Sequence, residues 1–115
     1  MADEVLYCVP EIATGFIYEK NTFKEKSFNT NRFTVKVYGD FEKIDTPSFK
    51  EMPCEKIDES IYICTDRYNI GENFKYNKSN NRFIAYYISQ YGYLNHPSDA
   101  GYDTDTLQAG KCEKF

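Results

Sequence analysis

The sequence predicts an all-β domain: a small antiparallel barrel or two-sheet sandwich of about eight strands, built from two tandem four-stranded units. Three observations lead there. Aromatic residues reach 17%, with eleven Tyr and nine Phe, and rings pack well on the half-buried pleated surface of a sheet. Strict alternation recurs, most clearly from Phe33 to Tyr38, with the period of two expected of a strand that has one face in the core. The chain also echoes itself. Cys8, Gly15, Phe16-Ile17-Tyr18-Glu19-Lys20 and Asn31-Arg32-Phe33 match Cys64, Gly71, Phe74-Lys75-Tyr76-Asn77-Lys78 and Asn81-Arg82-Phe83. Cys54-Glu55-Lys56-Ile57 matches Cys112-Glu113-Lys114-Phe115 in the same way. Self-similarity of this kind defines units, here 6–57 and 62–115 of one domain, residues 1–115. If they are copies, Phe16 and Phe74, Tyr18 and Tyr76, and Phe33 and Phe83 should be equivalent positions. Gly15 and Gly71 should then share one backbone conformation.

A chain of 115 residues has room for a single modest core, and neither half would bury much alone. With 41% hydrophobic and 28% charged residues, the composition is that of a globular chain, not a disordered one. A net charge of −4, with no Lys/Arg run to offset it, removes the phosphate-neutralising surface that nucleic-acid binding requires.

In chain order, Val5 to Val9 is an apolar run that Pro10 stops, because proline cannot donate to a sheet ladder. Gly15 opens the strand Phe16 to Lys20. The polar stretch Asn21 to Asn31 follows as a connection, with Thr22 to Thr30 the best place for a short helix. Phe33 to Tyr38 is the clearest strand, Gly39-Asp40 ends it, and Phe41 to Ile44 extends it briefly. Thr46-Pro47-Ser48 is turn chemistry before Phe49 to Glu55. A turn centred on Glu59 sets Cys54 opposite Cys64. Asn77 to Asn81 is a hairpin turn. Phe83 to Ile88 is apolar at nearly every position, as if covered on both faces. Gly92 to Thr106 reads as a long surface loop, and Leu107 to Phe115 as the closing strand.

Four Cys in matching pairs, with no Cys-x-x-Cys and a single His, fit two disulfides better than a zinc site. An up-and-down barrel brings its last strand beside its first, which favours Cys8–Cys112 with Cys54–Cys64. The rival, Cys8–Cys54 with Cys64–Cys112, also respects the repeat, and the directly opposed strand residues of the barrel pairing sit farther apart than a bridge prefers. Disulfides imply an oxidising compartment. No run is long and apolar enough to be a membrane helix, and no signal-peptide pattern precedes the domain. Met1-Ala2-Asp3-Glu4 therefore reads as a start joined to a mature periplasmic or secreted sequence whose leader was removed. The alternative is a cytosolic start with four reduced thiols.

Chemically suggestive residues are few. His96 lies in a loop with no visible partner for acid–base work. Asp99, Asp103 and Asp105 lack the ligand alternation and terminal glutamate of a calcium loop and read as a solvated acidic segment. Asn77-Lys78-Ser79 fits the short glycosylation acceptor. Arg32 and Arg82 hold matching places before a strand, where a local pairing role is expected. Tyr86, Tyr87, Tyr91, Tyr93 and Tyr102 crowd the second unit, and tyrosine offers a ligand a flat apolar face plus a hydroxyl at low entropic cost. No cofactor motif and no nucleophile, base and metal set is visible.

Leu6-Tyr7-Cys8, Ile63-Cys64 with Gly71 and Phe74, Arg82-Phe83 and the ending Gly110-Lys111-Cys112-Glu113-Lys114-Phe115 resemble small exported proteins of unknown function known mainly from aquatic bacterial sequences. That resemblance carries no activity. The chain is also similar to the C-type lysozyme inhibitors of the bacterial periplasm, small barrels with a Tyr-x-Cys near the start and a Cys near the end. It lacks their Ser-Gly inhibitory loop and carries the duplication, so no inhibitory residue is carried over. The expectation is thus a non-enzymatic, exported binding module that takes an apolar small molecule or glycan in an aromatic-lined barrel mouth. A solidly packed interior would count against it. The alternative is a protein-interaction module such as an inhibitor of an extracellular hydrolase.

Overall fold

The computed structural model describes residues 2–19, 22–66, 71–88 and 105–114. Among these, nine strands form: β1 (Glu4–Glu19), β2 (Thr22–Ser27), β3 (Phe33–Tyr38), β4 (Lys43–Asp45), β5 (Met52–Lys56), β6 (Ile61–Thr65), β7 (Glu72–Asn77), β8 (Arg82–Tyr87) and β9 (Asp105–Lys114). From β3 onward each strand pairs antiparallel with the next, and β9 returns to pair with β1 from Leu6 to Phe16. This closes β1 and β3 to β9 into an eight-stranded antiparallel barrel, so the sandwich alternative falls away. Closure removes the sheet edges that would otherwise expose unpaired N–H and C=O groups. Among the described residues no helix is long and apolar enough to cross a membrane.

The lower half of β1 pairs with β3 only as far as Cys8↔Phe33. Above that point β1 would show a bare edge, and Thr22–Ser27 folds back to cover Thr14–Glu19. The polar stretch expected to be a connection or short helix is therefore the ninth strand, outside the barrel proper. Its need to satisfy the backbone of β1 outweighs its mixed propensity. Pro10 does not stop the first strand either. The β1–β9 register slips between Pro10 and Ile12, leaving Glu11 as the extra residue of a bulge, and bulges are among the places where a sheet tolerates proline. Gly110 faces this bulge. A Cβ there would lie 2.1 Å from the Val9 carbonyl oxygen, so only glycine lets β9 pass.

The interior is filled. Leu6, Val35, Val37, Ile44, Met52, Tyr62, Phe74, Tyr76 and Phe83 are buried together with Cys8, Cys64 and Cys112. An aromatic column runs through them. Phe41 stacks on Tyr62 and Tyr76 at centroid distances of 4.8 and 5.2 Å. Phe74 meets Phe83 at 5.7 Å, and Phe83 meets Phe33 edge-on at 5.4 Å. Phe41 belongs to the β3–β4 turn, not to a strand extension, and it reaches the core only by adopting a φ of 55°, a conformation that costs a bulky residue about 1–3 kcal/mol. It seals the lower end. Around it, Tyr62 donates to Asp40, Lys78 pairs with Asp40 at 2.8 Å, and Tyr76 donates to Asn81. From Phe83 to Ile88 only one face is covered. Phe83 and Ala85 point inward, whereas Ile84 and Ile88 are exposed, because a barrel strand has one wall outside.

The disulfides are Cys8–Cys112 and Cys54–Cys64, and among the described residues no cysteine is free. Each joins residues directly opposite one another in an antiparallel ladder. Cys54 N–H donates to Glu42 and Cys112 N–H donates to Asn81, away from their disulfide partners. Both bridges therefore occupy the closer, non-hydrogen-bonded sites of their ladders, with Cα atoms 4.0 and 3.9 Å apart. The distance objection to the barrel pairing does not hold at such sites. Two bridges are consistent with an oxidising location.

The strand registers set the two cysteines against residues other than those the sequence matches imply. Leu6↔Val35 and Cys8↔Phe33 in one half match Tyr62↔Tyr76 and Cys64↔Phe74 in the other. When Cys8 takes the place of Cys64, Phe33 takes that of Phe74, not Phe83. Gly15 and Phe16 continue the strand of Cys8, whereas Gly71 and Phe74 lie beyond a turn from Cys64. Phe16 is half-buried against Phe23, while Phe74 is core. Tyr18 has a side chain outside what is described. Gly71 has a φ of 126° and Gly15 does not share it. The equal Cys-to-Gly spacing fails as a guide because Gly15 lies within β1, whereas Gly71 lies past the end of β6.

Two outcomes follow for stability. By loop-closure entropy, Cys8→Ser/Cys112→Ser, which opens a separation of 104, should lose about 4.7 kcal/mol, and Cys54→Ser/Cys64→Ser, with a separation of 10, about 2.7. Guanidinium unfolding of the two double variants checks the order, and equal losses would contradict it. Phe41→Ala should lower stability by about 3–5 kcal/mol through the cavity left between Tyr62 and Tyr76. A midpoint close to wild type in urea would mean that Phe41 is not the seal.

Candidate functional site

With the lower end sealed by Phe41, the upper end is the concave one. The inward phase of each strand brings a short set of residues there. On β7, counting two at a time from Tyr76 through Phe74 leads to Glu72; on β9, counting from Cys112 through Gly110 leads to Gln108; on β8, Phe83 leads to Ala85 and Tyr87. The β4–β5 turn adds Thr46, Ser48 and Phe49, and the approach to β3 adds Asn31, Arg32 and Phe33. Two adjoining cavities result, of about 430 and 350 Å³, which share Ser48, Glu72, Ala85 and Gln108. Their floor is Phe33, Phe49, Phe74 and Ala85. Such volumes fall within the range of small-ligand sites, where an apolar lining carries a few placed polar groups.

The polar groups divide into two kinds. Asp66, buried at the top of β6, accepts the N–H groups of Gly71 and Glu72, each at 3.0 Å, and so holds the start of β7 in place. Thr46 is likewise buried and structural: it accepts the Phe49 N–H at 3.1 Å, and its hydroxyl lies 3.4 Å from Glu72 Oε1. Burial raises the Glu72 carboxyl above its ordinary range; the Thr46 hydroxyl opposes this and the nearby Asp66 adds to it. By contrast, the side chains of Gln108, Ser48, Asn31 and Arg32 form no hydrogen bond or ion pair among the described residues. They are the groups of the mouth that a ligand could engage.

Of the residues singled out by sequence, Tyr86 and Tyr87 line the larger cavity, with Tyr87 in the inward phase and exposed at the rim. Tyr91, Tyr93, Tyr102, His96, Asp99 and Asp103 lie outside the described residues. Asp105 is not part of a solvated acidic loop. It opens β9 opposite Phe16 and is 3% exposed. Asn77 accepts the Ser79 N–H and hydroxyl, which is the chemistry of a tight turn. Arg32 and Arg82 are not equivalent: one borders the mouth, the other stands on the outer wall. Glu72, Gln108 and Phe49 were missed. Strand parity counted from the cysteines and Phe74 was the signal that could have found the first two, since a polar residue in the inward phase at a strand end marks an open mouth.

Compared with protein-family models, curated proteins and solved structures, the chain matches none of them.

The raised Glu72 has a signed consequence. Between the ordinary carboxyl range and its raised value, the folded protein keeps a proton that the unfolded chain has released, so stability falls as pH rises through that window. Glu72→Gln removes the effect. Asp45 is held low by the Glu51 N–H and Asp40 by Lys78, and both act the opposite way in either protein. The difference in unfolding free energy between Glu72→Gln and wild type should therefore grow in favour of the variant as pH rises through weakly acid values. A flat difference would show that Glu72 titrates normally.

Proposed function

We propose that the protein is a small, exported, non-catalytic binding module whose ligand is a glycan segment held in the upper mouth of the barrel. The observation that carries this reading is the set of polar side chains Gln108, Ser48, Asn31 and Arg32, without partners among the described residues, beside the half-buried rings of Phe33 and Phe49. A sugar ring presents an apolar face of C–H groups and an edge of hydroxyls, and this mouth offers a counterpart to each. The filled interior counts against the other half of the expectation, an apolar molecule enclosed by the barrel. Two disulfides suit a periplasmic or secreted setting, in which glycans of walls and matrices are at hand.

The test is a nitrogen-15 NMR titration of the oxidised protein with neutral gluco-, xylo- and chito-oligosaccharides. At least one series should move the amides of Ser48, Ala85 and Gln108 together. Gln108→Leu, with an unchanged denaturation midpoint, should weaken that binding about tenfold, the usual scale for a lost ligand hydrogen bond to a polar site. If no series perturbs the mouth, or if Gln108→Leu binds equally well, the reading is wrong.

A further inference from the structure

The outer wall carries a second concavity with different chemistry. Registers across β6, β7, β8, β9 and β1 align outward-facing residues in rows, one of which reads Ile63, Lys75, Ile84, Ala109, Ile12. The row below it brings Arg82 and Lys111 between Ile61 and Val9. On β7, β8 and β9 these two rows hold three cations and no carboxylate, on a chain whose net charge is −4, and Glu55 of β5 continues the first row beyond Ile63. Ile12 is 63% exposed and Ile84 45%. Between them lies a hollow of about 410 Å³, walled by Ile12, Ile61 and Ile84 and floored by Ala109 and Gly110. The closure of β9 on β1 explains why its floor is small. It does not explain why large aliphatic side chains flank that floor, uncovered. Lys75 lies across from Ile84 on β7, Arg82 lies two residues before it on β8, and neither makes an ion pair among the described residues. Glu11, the bulge residue, is the one carboxylate at the hollow, at its Ile12 end.

We propose that this hollow binds an amphiphilic carboxylate of medium chain length, its aliphatic chain over Ala109 and Gly110 between Ile12 and Ile84, its head group at Lys75 and Arg82. Charge complementarity selects the anionic head, and the aliphatic walls select the chain. The curvature of a closed barrel selects size: a broad, flat partner would touch only the crest of these rows, whereas the hollow has ligand dimensions. The proposal is independent of the glycan reading, since the mouth and the hollow share no lining residue.

The experiment titrates the full oxidised chain with monomeric decanoate, and separately with decylammonium, by calorimetry and amide shifts. Decanoate should shift Ile12, Ile84 and Ala109 and bind more tightly than decylammonium, and added salt should weaken it. Lys75→Gln/Arg82→Gln, both surface changes that leave the denaturation midpoint in place, should weaken decanoate about tenfold, as expected for two exposed charge contacts. Glu11→Gln should tighten it. Equal affinity for the two amphiphiles, shifts confined to the mouth, or no effect of the double variant would overturn the proposal. So would binding to phosphatidylglycerol vesicles without binding to monomeric decanoate, which would make the wall a membrane-contact face.

Discussion

The contact on which the rest depends is the return of β9 to β1. It is the longest ladder among the described residues, running from Leu6↔Lys114 to Phe16↔Asp105, and it joins the first strand to the last. Everything in its path is adapted to it. Gly110 gives way to the Val9 carbonyl, Pro10 sits where the bulge relaxes the pairing, and Cys8 meets Cys112 at a close-approach site. Lys114 adds an exposed ion pair to Glu4 at 3.6 Å, which contributes little by itself. Without this ladder the chain would be an open sheet with two bare edges and an aromatic face in water.

Closure also makes the two ends of the barrel unequal. At the lower end, turns are short and Phe41 is driven inward, with local backbone strain offset by stacking on two tyrosines. At the upper end, connections are longer and β1 continues beyond the barrel with β2 and the start of β9. The interior there ends in Glu72 and Gln108, with Phe49 and Tyr87 beside them. The same packing that leaves no room for a ligand inside the barrel thus leaves a polar-rimmed, aromatic-floored depression above it.

Much of this was legible in the residues. Alternation located β3, turn chemistry located the β5–β6 and β7–β8 hairpins, and up-and-down closure pointed to the observed disulfides. What was not legible is instructive. Whether Thr22–Ser27 is a strand depends on an edge of β1 that only the tertiary structure creates. Pro10 argued locally for an end, but a bulge absorbs a missing N–H. The repeat was read through Phe-x-Tyr matches in a chain rich in both residues, whereas in register Phe33 lies opposite Cys8 and Phe74 opposite Cys64. The tyrosines drew attention by number. Tyr86 and Tyr87 do line the mouth, but Glu72 and Gln108 beside them are noticed only when inward phase is counted strand by strand.

The Cys8–Cys112 bridge, finally, makes the polypeptide from residue 8 to residue 112 a covalent ring that contains every strand connection. A protease that cuts one connection, at the 78–81 turn for instance, leaves both fragments attached and both sides of each ladder still in register. A cut at 57–60 is spanned a second time by Cys54–Cys64. A single nick in one connection within this ring therefore breaks the chain without separating its two pieces.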